Sequence, residues 1–310
     1  MGAVKSKDLV CSSKGGPIDY FSLALGSGLE GWEVVRAMGL SQGNESYTPI
    51  NIGDRVVYQA TANLMTVQRA LCGSWVKPLP VGDSIAYEGL DIRSALYPLV
   101  EKEVLVTTDV VKFFDNIGYR HVHDLLLNHY ERNAATLLAS IFTMVGLSGR
   151  RFLPQGGTAS PFVANRVAAL VIDPLVRACL PPDAVYVRYC DNLIIGCAEK
   201  DSPQELLKGI RSVISGTGFR LHKSGIRRGH QRQKALGLVL NSCVNVPREY
   251  VDRVRATLHN VCRTSWEEQS GTVPVHLFKK RVLGRAQYVL QNSTPGRARR
   301  IRRLYVELSN

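Results

Sequence analysis

The chain has 310 residues, of which 45% are hydrophobic and 21% charged, a composition typical of an ordinary globular protein. This length can bury a sizeable core and hold two or three subdomains. No apolar run approaches the roughly 18 residues that a membrane helix needs, so we expect no membrane partner. The seven cysteines are scattered and lack zinc-type spacing, and no secretory leader pattern is present, which predicts reduced thiols and a cytoplasmic protein.

The net charge of +13 is unevenly distributed along the chain. From Thr217 onward there are 19 Lys and Arg against 5 Asp and Glu, whereas the rest of the chain has 20 against 21. A basic region beside a neutral body is typical of a protein that grips nucleic acid. The alternative is a merely solvated basic surface.

Periodicity predicts a mixed α+β chain that becomes wholly helical after Pro247. Residues 1–48 are rich in Gly and Ser and are read as an N-terminal extension with two helical patches. The predicted strands are Asp54–Gln59, Val104–Asp109, Ala184–Ile195 with a central break, Arg220–Lys223 and Leu236–Leu240. The predicted helices are Tyr20–Leu25, Trp32–Met38, Leu64–Trp75, Tyr119–Tyr130, Ala134–Val145, Asp201–Gly216, Arg248–Cys262, Pro274–Gln291 and Gly296–Leu308.

An acid stands where a β-hairpin should turn. Tyr189-Cys190-Asp191-Asn192 interrupts the apolar run from Ala184 to Ile195. Such an acid is often ordinary turn chemistry. Two other segments favour a functional site: Val104–Asp109 is a predicted buried strand that ends in an acid, and Leu153–Pro161 is a Gly-rich loop that opens a helix through Asn165.

These three segments, in this order, resemble the palm of reverse transcriptases, and Leu-Pro-Gln-Gly at 153–156 followed by Ser160-Pro161 and Asn165 is the most specific match. The short chain is most similar to bacterial retron and defence-associated reverse transcriptases. The resemblance implies a right-hand polymerase with fingers at 49–100, an antiparallel palm at 101–246 carrying inserted fingers helices at about 119–150, and a basic helical thumb at 247–310.

The resemblance also implies an activity and its partners. We expect an RNA-directed DNA polymerase that adds dNTPs with two Mg²⁺ ions, for which Mn²⁺ could substitute. Its expected template is a structured non-coding RNA within an anti-phage system, with an effector protein as a possible further partner.

By the same resemblance, Asp109 and Asp191 are the catalytic metal ligands. The Val110 carbonyl and Asn192 are expected to assist them, because hard Mg²⁺ prefers oxygen. Lys223 is expected to protonate the leaving pyrophosphate.

Further roles follow for nucleotide and nucleic acid. Arg55 should bind the triphosphate, and Phe114 should exclude a 2′-hydroxyl, although both Phe113 and Phe114 could instead belong to the core. Strand alternation would put only one of the two rings inward. The remaining nucleotide contacts are expected from Gln155, Gly156 and Asn165. The expected nucleic-acid contacts are Leu238 in a primer-gripping hairpin and Lys279, Lys280, Arg281, Arg285, Arg297, Arg299, Arg300, Arg302 and Arg303 in the thumb.

Departures from the family pattern keep other functions open. Asn192 stands where a second aspartate is usual, which removes one negative charge, and Ala235-Leu236-Gly237 replaces the Val-Thr-Gly of retron enzymes. One alternative is untemplated or protein-primed DNA synthesis. The other is a catalytically inactive relative that serves as an RNA-binding scaffold.

Overall fold

A computed structural model of the protein describes residues 20–42, 46–53, 55–82, 91–222 and 224–309. The helices are α1 (Tyr20–Ser27), α2 (Gly31–Gln42), α3 (Ala62–Leu71), α4 (Ile92–Leu96), α5 (Phe113–Asn116), α6 (Tyr119–Leu127), α7 (Arg132–Phe142), α8 (Ser160–Val171), α9 (Asp173–Cys179), α10 (Pro203–Ser215), α11 (Arg248–Arg263), α12 (Trp266–Ser270), α13 (Val275–Asn292) and α14 (Pro295–Ser309). The strands are β1 (Tyr47–Ile52), β2 (Arg55–Ala60), β3 (Val104–Asp109), β4 (Met144–Val145), β5 (Arg151–Phe152), β6 (Val185–Tyr189), β7 (Asn192–Cys197), β8 (Gly225–Arg228), β9 (Lys234–Ala235) and β10 (Leu238–Val239).

Four antiparallel strands in the order β6-β7-β3-β8 form the central sheet. Strands β6 and β7 form the predicted hairpin, and β7 pairs with β3 so that Asn192 lies opposite Asp109. The register therefore brings the end of the Asp109 strand beside the hairpin turn that carries Asp191. This confirms the predicted mixture of helices and antiparallel strands.

The sheet is buried on both faces because its strands alternate their side chains between two cores. Val104 and Val106 of β3 pack into one cluster, whereas Leu105 between them packs into the other. Along β7, Leu193 likewise joins the first cluster and Ile194 the second. The apolar runs recognised in the sequence are thus strands of a middle layer.

Helices α1–α3 and α5–α10 contribute to the first cluster, and the second cluster is formed with α4, the β9–β10 hairpin and the C-terminal helices. Helices α11, α13 and α14 pack against one another through apolar faces that include Val254, Val282 and Ile301. Their polar faces remain exposed, which places the basic residues of this bundle at the surface.

The three predicted C-terminal helices are confirmed, and several other elements differ from expectation. The segment predicted as the strand Arg220–Lys223 makes only a bridge from Leu221 to Val110, and the strand itself begins at Gly225. Strand β1 and helices α9 and α12 were not predicted. Residues 1–19 and 43–45 of the predicted N-terminal extension lie outside the described residues, as do Asp54 of the first predicted strand and Lys223.

Within the ranges that the structure describes, no helix is long and apolar enough to cross a membrane. The cysteines in those ranges, namely 72, 179, 190, 197, 243 and 262, are free thiols.

Candidate active site

The β6–β7 turn and the end of β3 bring the two candidate acids together. The turn consists of Cys190 and Asp191, and Cys190 adopts a left-handed φ of 56°. The backbone N–H of Val110 donates to the carbonyl of Asp191 over 2.9 Å, which ties the turn to the strand that ends at Asp109. The sequence placed Asp109, Val110 and Asp191 in one site, and the structure brings them to one edge of the sheet.

The electrostatics of the turn favour binding of a cation. Burial raises the pKa of Asp191 above its ordinary value, and the negative charge of Asp109 raises it further. The positive charge of Arg55 and a hydrogen bond from Asn192 act in the opposite direction but do not cancel the rise. Two carboxylates that repel each other in a partly buried site are stabilised when a cation binds between them.

Asn192 makes a hydrogen bond that an aspartate could not make. Its Nδ2 donates to Oδ1 of Asp191 over 3.0 Å. Because an ionised aspartate has no donor, aspartate at this position would replace the hydrogen bond by repulsion. The amide thus orients the Asp191 carboxylate, while its role as a metal ligand stays a prediction.

Burial also raises the pKa of the Cys190 thiol to about 12, and the charge of Asp191 adds to the effect. A thiol with so high a pKa is protonated near neutrality and is a poor nucleophile. Cys190 contributes to the turn through its left-handed backbone and through packing of its buried side chain in the first core.

His222 is a neighbour of Asp109 that sequence reasoning missed. Its backbone N–H donates to the carbonyl of Asp109 over 2.8 Å, and its Nδ1 lies 3.6 Å from Oδ1 of the same residue. Only the pairing of residues 220–222 with the end of β3 reveals this contact, because the two segments are more than 100 positions apart in the sequence. The neighbouring candidate, Lys223, lies outside the described residues.

Strand β2 and the Gly-rich loop form one unit near the acids. Arg55 begins β2 with an exposed side chain, and its charge acts on Asp191. The N–H of Tyr58 on β2 donates to the carbonyl of Gln155 over 2.7 Å. Gly156 has a φ of 100°, and a Cβ at this position would collide with Val57. Glycine is therefore required for the close approach of the loop to β2.

Phe114 is half-buried on α5, which is a short helix and not a continuation of the strand. Phe113 beside it is buried in the first core, and the two ring centroids are 5.5 Å apart in an edge-to-face arrangement. The prediction that one ring points inward agrees with this placement, but the cause is helical geometry and not strand alternation.

The structure corrects the expected direction of Asn165. This side chain is 0% exposed, and its Oδ1 accepts a hydrogen bond from Nη1 of Arg188 over 3.2 Å. In this conformation Asn165 cannot reach the sugar of a nucleotide, because its side chain is buried beneath the β6–β7 hairpin and does not face the surface that carries Asp109 and Asp191.

Leu238 is also placed differently from expectation. It is 0% exposed in the second core, so it cannot contact nucleic acid. In the turn before it, Gly237 is exposed and Leu236 is half-buried, and their φ values of 81° and 49° are those of the tight turns that close hairpins. Leu236 lines a cavity of about 180 Å³ that it shares with Asp109, Asn192 and Lys234.

The nine cationic residues expected to bind nucleic acid are all exposed on α13 and α14. Helix α11 adds cations that the sequence analysis had not selected. Arg255 and Arg263 of α11 line a groove of about 740 Å³ together with Arg300 and Arg303 of α14. The basic surface is therefore built by more than one helix.

The donor set fits a divalent cation held jointly by protein and substrate. Among the described residues, no three His, Cys, Asp or Glu side chains converge on one metal position. Mg²⁺ is commonly held by one or two carboxylates together with substrate phosphate oxygens and water. Asp109 and Asp191 are the two carboxylates that could hold such an ion, and its remaining ligands would come from substrate and water.

Comparison with known proteins identifies the family of the chain. The family model described as reverse transcriptase (RNA-dependent DNA polymerase) matches residues 42–240, which include β1 to β10 and both acids of the site. The chain therefore belongs to the reverse transcriptase family.

Bacterial retron enzymes are among its relatives. The chain is 26% identical over 247 residues to the retron Mx162 reverse transcriptase of Myxococcus xanthus, covering 66% of this chain and 50% of that protein. It is 24% identical to the retron Mx65 enzyme of the same organism, covering 68% and 54%, and 22% identical to the retron Ec86 enzyme of Escherichia coli, covering 67% and 65%. The aligned region thus spans about half the length of the two Myxococcus relatives.

Solved structures with similarity include apo telomerase from Candida tropicalis, at 11% identity and a TM-score of 0.46, covering 67% of this chain and 55% of the telomerase chain. A foamy viral protease–reverse transcriptase in complex with double-stranded DNA matches at 17% identity and a TM-score of 0.41, covering 84% and 42%.

Proposed function

We propose that this protein is an RNA-directed DNA polymerase that extends a primer with dNTPs. The observation that carries the proposal is the placement of Asp109, at the end of β3, beside the β6–β7 turn that carries Asp191, with the two tied by the hydrogen bond from Val110 to Asp191. Membership of the reverse transcriptase family supports the same conclusion. Two divalent ions, Mg²⁺ or in its place Mn²⁺, would activate the primer hydroxyl and neutralise the leaving pyrophosphate.

The residues around the acids have complementary tasks. Arg55, exposed at the start of β2, suits two oxygens of a triphosphate because a guanidinium donates in a fork. Gln155 and Gly156 bring backbone toward the base pair, and Phe114 fills the space that a 2′-hydroxyl would occupy. Lys223 remains our candidate for the proton donor to pyrophosphate.

We assign the parts of a right-hand polymerase as follows. Residues 49–100 act as fingers, residues 101–246 as a palm that carries inserted fingers helices at about 119–150, and residues 247–310 as a thumb. The exposed cations of α13 and α14 support binding of the nucleic-acid backbone by the thumb.

The similarity to retron enzymes supports a structured non-coding RNA as the template, used in an anti-phage system in the cytoplasm, with or without an effector protein. Those enzymes are named as retron reverse transcriptases, and the extension of that role to this chain is our proposal.

DNA synthesis by the purified protein tests the proposal. The protein is incubated with its co-purified RNA, dNTPs and Mg²⁺, and the product is sequenced. The expected result is DNA complementary to the bound RNA, and none from an Asp109→Asn variant. Product that does not depend on Asp109 would contradict the assignment of the site.

Asn192 leaves the site with one carboxylate fewer than is usual in the family. This favours two other candidate functions, namely untemplated DNA synthesis and an RNA-binding scaffold. A random or homopolymeric product would indicate untemplated synthesis. A wild-type protein that binds RNA but makes no DNA with Mg²⁺ or Mn²⁺, while Asn192→Asp does, would indicate an RNA-binding scaffold.

A further inference from the structure

Two arginines are the largest fully buried side chains in the part of the chain that the structure describes. Arg166 lies on α8 and is 1% exposed, and Arg188 lies on β6 and is 0% exposed. Burial of a charged side chain is costly unless the charge is paired and its hydrogen bonds are made. Arg188 lies two positions before Cys190, at the base of the turn that carries Asp191.

Asp173 holds the guanidinium of Arg188 from one side. Nε of Arg188 donates to Oδ1 of Asp173 over 2.7 Å, and Nη2 donates to Oδ2 over 2.9 Å. The hydroxyl of Tyr186 donates to Oδ1 of the same carboxylate over 2.9 Å. Burial lowers the pKa of Arg188, but its hydrogen bonds to Asp173 and the charge of that residue outweigh burial and leave the pKa raised. Arg188 is therefore charged and fixed in orientation.

The other side of the same guanidinium reaches the catalytic turn. Nη1 of Arg188 donates to the carbonyl of Cys190 over 3.3 Å and to Oδ1 of Asn165 over 3.2 Å. Nη2 also donates to the carbonyl of Asn165 over 3.0 Å. The contact to Cys190 falls on the residue whose left-handed backbone directs the chain into Asp191.

We propose that Arg188, held by Asp173 and Asn165, is a positioning residue that sets the direction of the Asp191 carboxylate through the backbone of Cys190. The inference rests on the proposed polymerase function. In this proposal Asn165 helps to hold Arg188 and does not contact the nucleotide. None of the three side chains lines the open site, since they are 0%, 2% and 0% exposed in the order Arg188, Asp173 and Asn165.

Arg166 provides a matched control. It donates to the carbonyls of Lys77 and Leu79 over 2.6 and 3.2 Å, and to that of Phe162 over 3.3 Å. It is as buried as Arg188, and none of these carbonyls belongs to the β6–β7 turn. Loss of a buried guanidinium as such should therefore affect Arg166→Lys and Arg188→Lys alike, whereas loss of turn geometry should affect only Arg188→Lys.

The experiment compares both lysine variants with the wild-type protein in three measurements, which are thermal unfolding, amide hydrogen exchange of the 188–193 segment, and steady-state dNTP incorporation. A lysine at 188 keeps a charge for Asp173 but cannot also donate to Cys190 and Asn165 in the planar arrangement of a guanidinium. We expect faster exchange in 188–193 for Arg188→Lys, with kcat reduced by up to about 10²-fold, a loss that a 1 Å misplacement can cause. The KM for dNTP should remain unchanged, and Arg166→Lys should alter neither the exchange of that segment nor kcat.

A second variant decides the question if Arg188→Lys does not fold. Asn165→Ala removes the side-chain acceptor of Nη1, the nitrogen that also serves Cys190. A lower kcat at unchanged KM supports the positioning role, whereas a raised KM at unchanged kcat would restore Asn165 to the nucleotide site and overturn it. Equal effects of the two lysine variants on exchange and kcat would also overturn it. Hydrogen exchange needs no catalysis, so a wild-type protein without polymerase activity would refute the proposed function and leave this test intact.

Discussion

Replacement of Gly156 by alanine should disrupt the contact between the Gly-rich loop and β2. Gly156 has a φ of 100°, and its missing Cβ would collide with Cγ1 of Val57 and lie 3.2 Å from the carbonyl oxygen of Tyr58. Val57 is β-branched and Tyr58 presents backbone, so neither neighbour can easily move away. The loop itself must therefore shift and strain the hydrogen bond from Tyr58 to Gln155.

A control substitution at Gly149 separates the loss of stability in Gly156→Ala into a backbone contribution and a packing contribution. That glycine has a φ of 75° and no heavy atom within 4 Å of its would-be Cβ. Alanine at either position incurs the backbone cost of about 1–2 kcal/mol. Only Gly156→Ala adds the overpacking cost of about 1–3 kcal/mol. In domains of about 150–250 residues each kcal/mol corresponds to roughly 2–4 °C in Tm, so Gly156→Ala should melt several degrees below Gly149→Ala.

Thermal unfolding and dNTP kinetics together check this prediction. Gly156→Ala should raise the KM for dNTP, because the displaced loop carries Gln155, whereas Gly149→Ala should leave the KM at the wild-type value. Equal Tm and equal KM for the two variants would refute the reasoning, since it requires the Val57 contact to matter.

Three further predictions concern the charge of Asp191, the discrimination between rNTP and dNTP, and RNA binding by the basic helix α14. The pKa of Asp191 is raised in the folded protein, so the stability conferred by its neutral form is present in acid and lost as pH rises. Asp191→Asn should therefore raise Tm near neutral pH and lose that advantage in mild acid. Melting curves at both pH values would show this. Phe114→Val should increase rNTP incorporation relative to dNTP by on the order of tenfold, measured as a ratio of kcat/KM values. An unchanged ratio would show that Phe114 is not the residue that excludes the 2′-hydroxyl. Arg300→Glu combined with Arg303→Glu should weaken RNA binding. The slope of log K against log salt concentration, measured by titration, should fall by about 0.7 for each phosphate that the helix no longer neutralises. An unaltered slope would show that α14 does not contact the RNA.

The sequence was informative where local pattern and tertiary packing agree. The apolar runs of β3, β6 and β7 and the amphipathic C-terminal helices predicted elements that the structure contains. The acids at 109 and 191 could be paired before the register was known, because strand ends in one antiparallel sheet meet at its edges.

Sequence reasoning failed where a residue's role depends on a partner far away in the chain. Asn165 and Leu238 match positions of family motifs, but their burial depends on Arg188 and on the second core. His222 was missed because only a backbone pairing over more than 100 positions places it beside Asp109. Strand alternation was expected to orient Phe113 and Phe114, but both lie on the short helix α5, because aromatic residues after a β-branched run occur in helices and strands alike.

The buried arginines have a consequence for how the protein acquires its shape during folding. Arg188 donates to the carbonyl of Val81, 107 positions earlier, and Arg166 donates to Lys77, 89 positions earlier. Contacts between residues so far apart in the sequence form slowly, since long loops must close first. A nascent chain that has completed the β6–β7 hairpin must still dock the Lys77–Gly82 segment before Arg188 has all of its acceptors. The β6–β7 turn should therefore reach its final geometry only after this segment has docked.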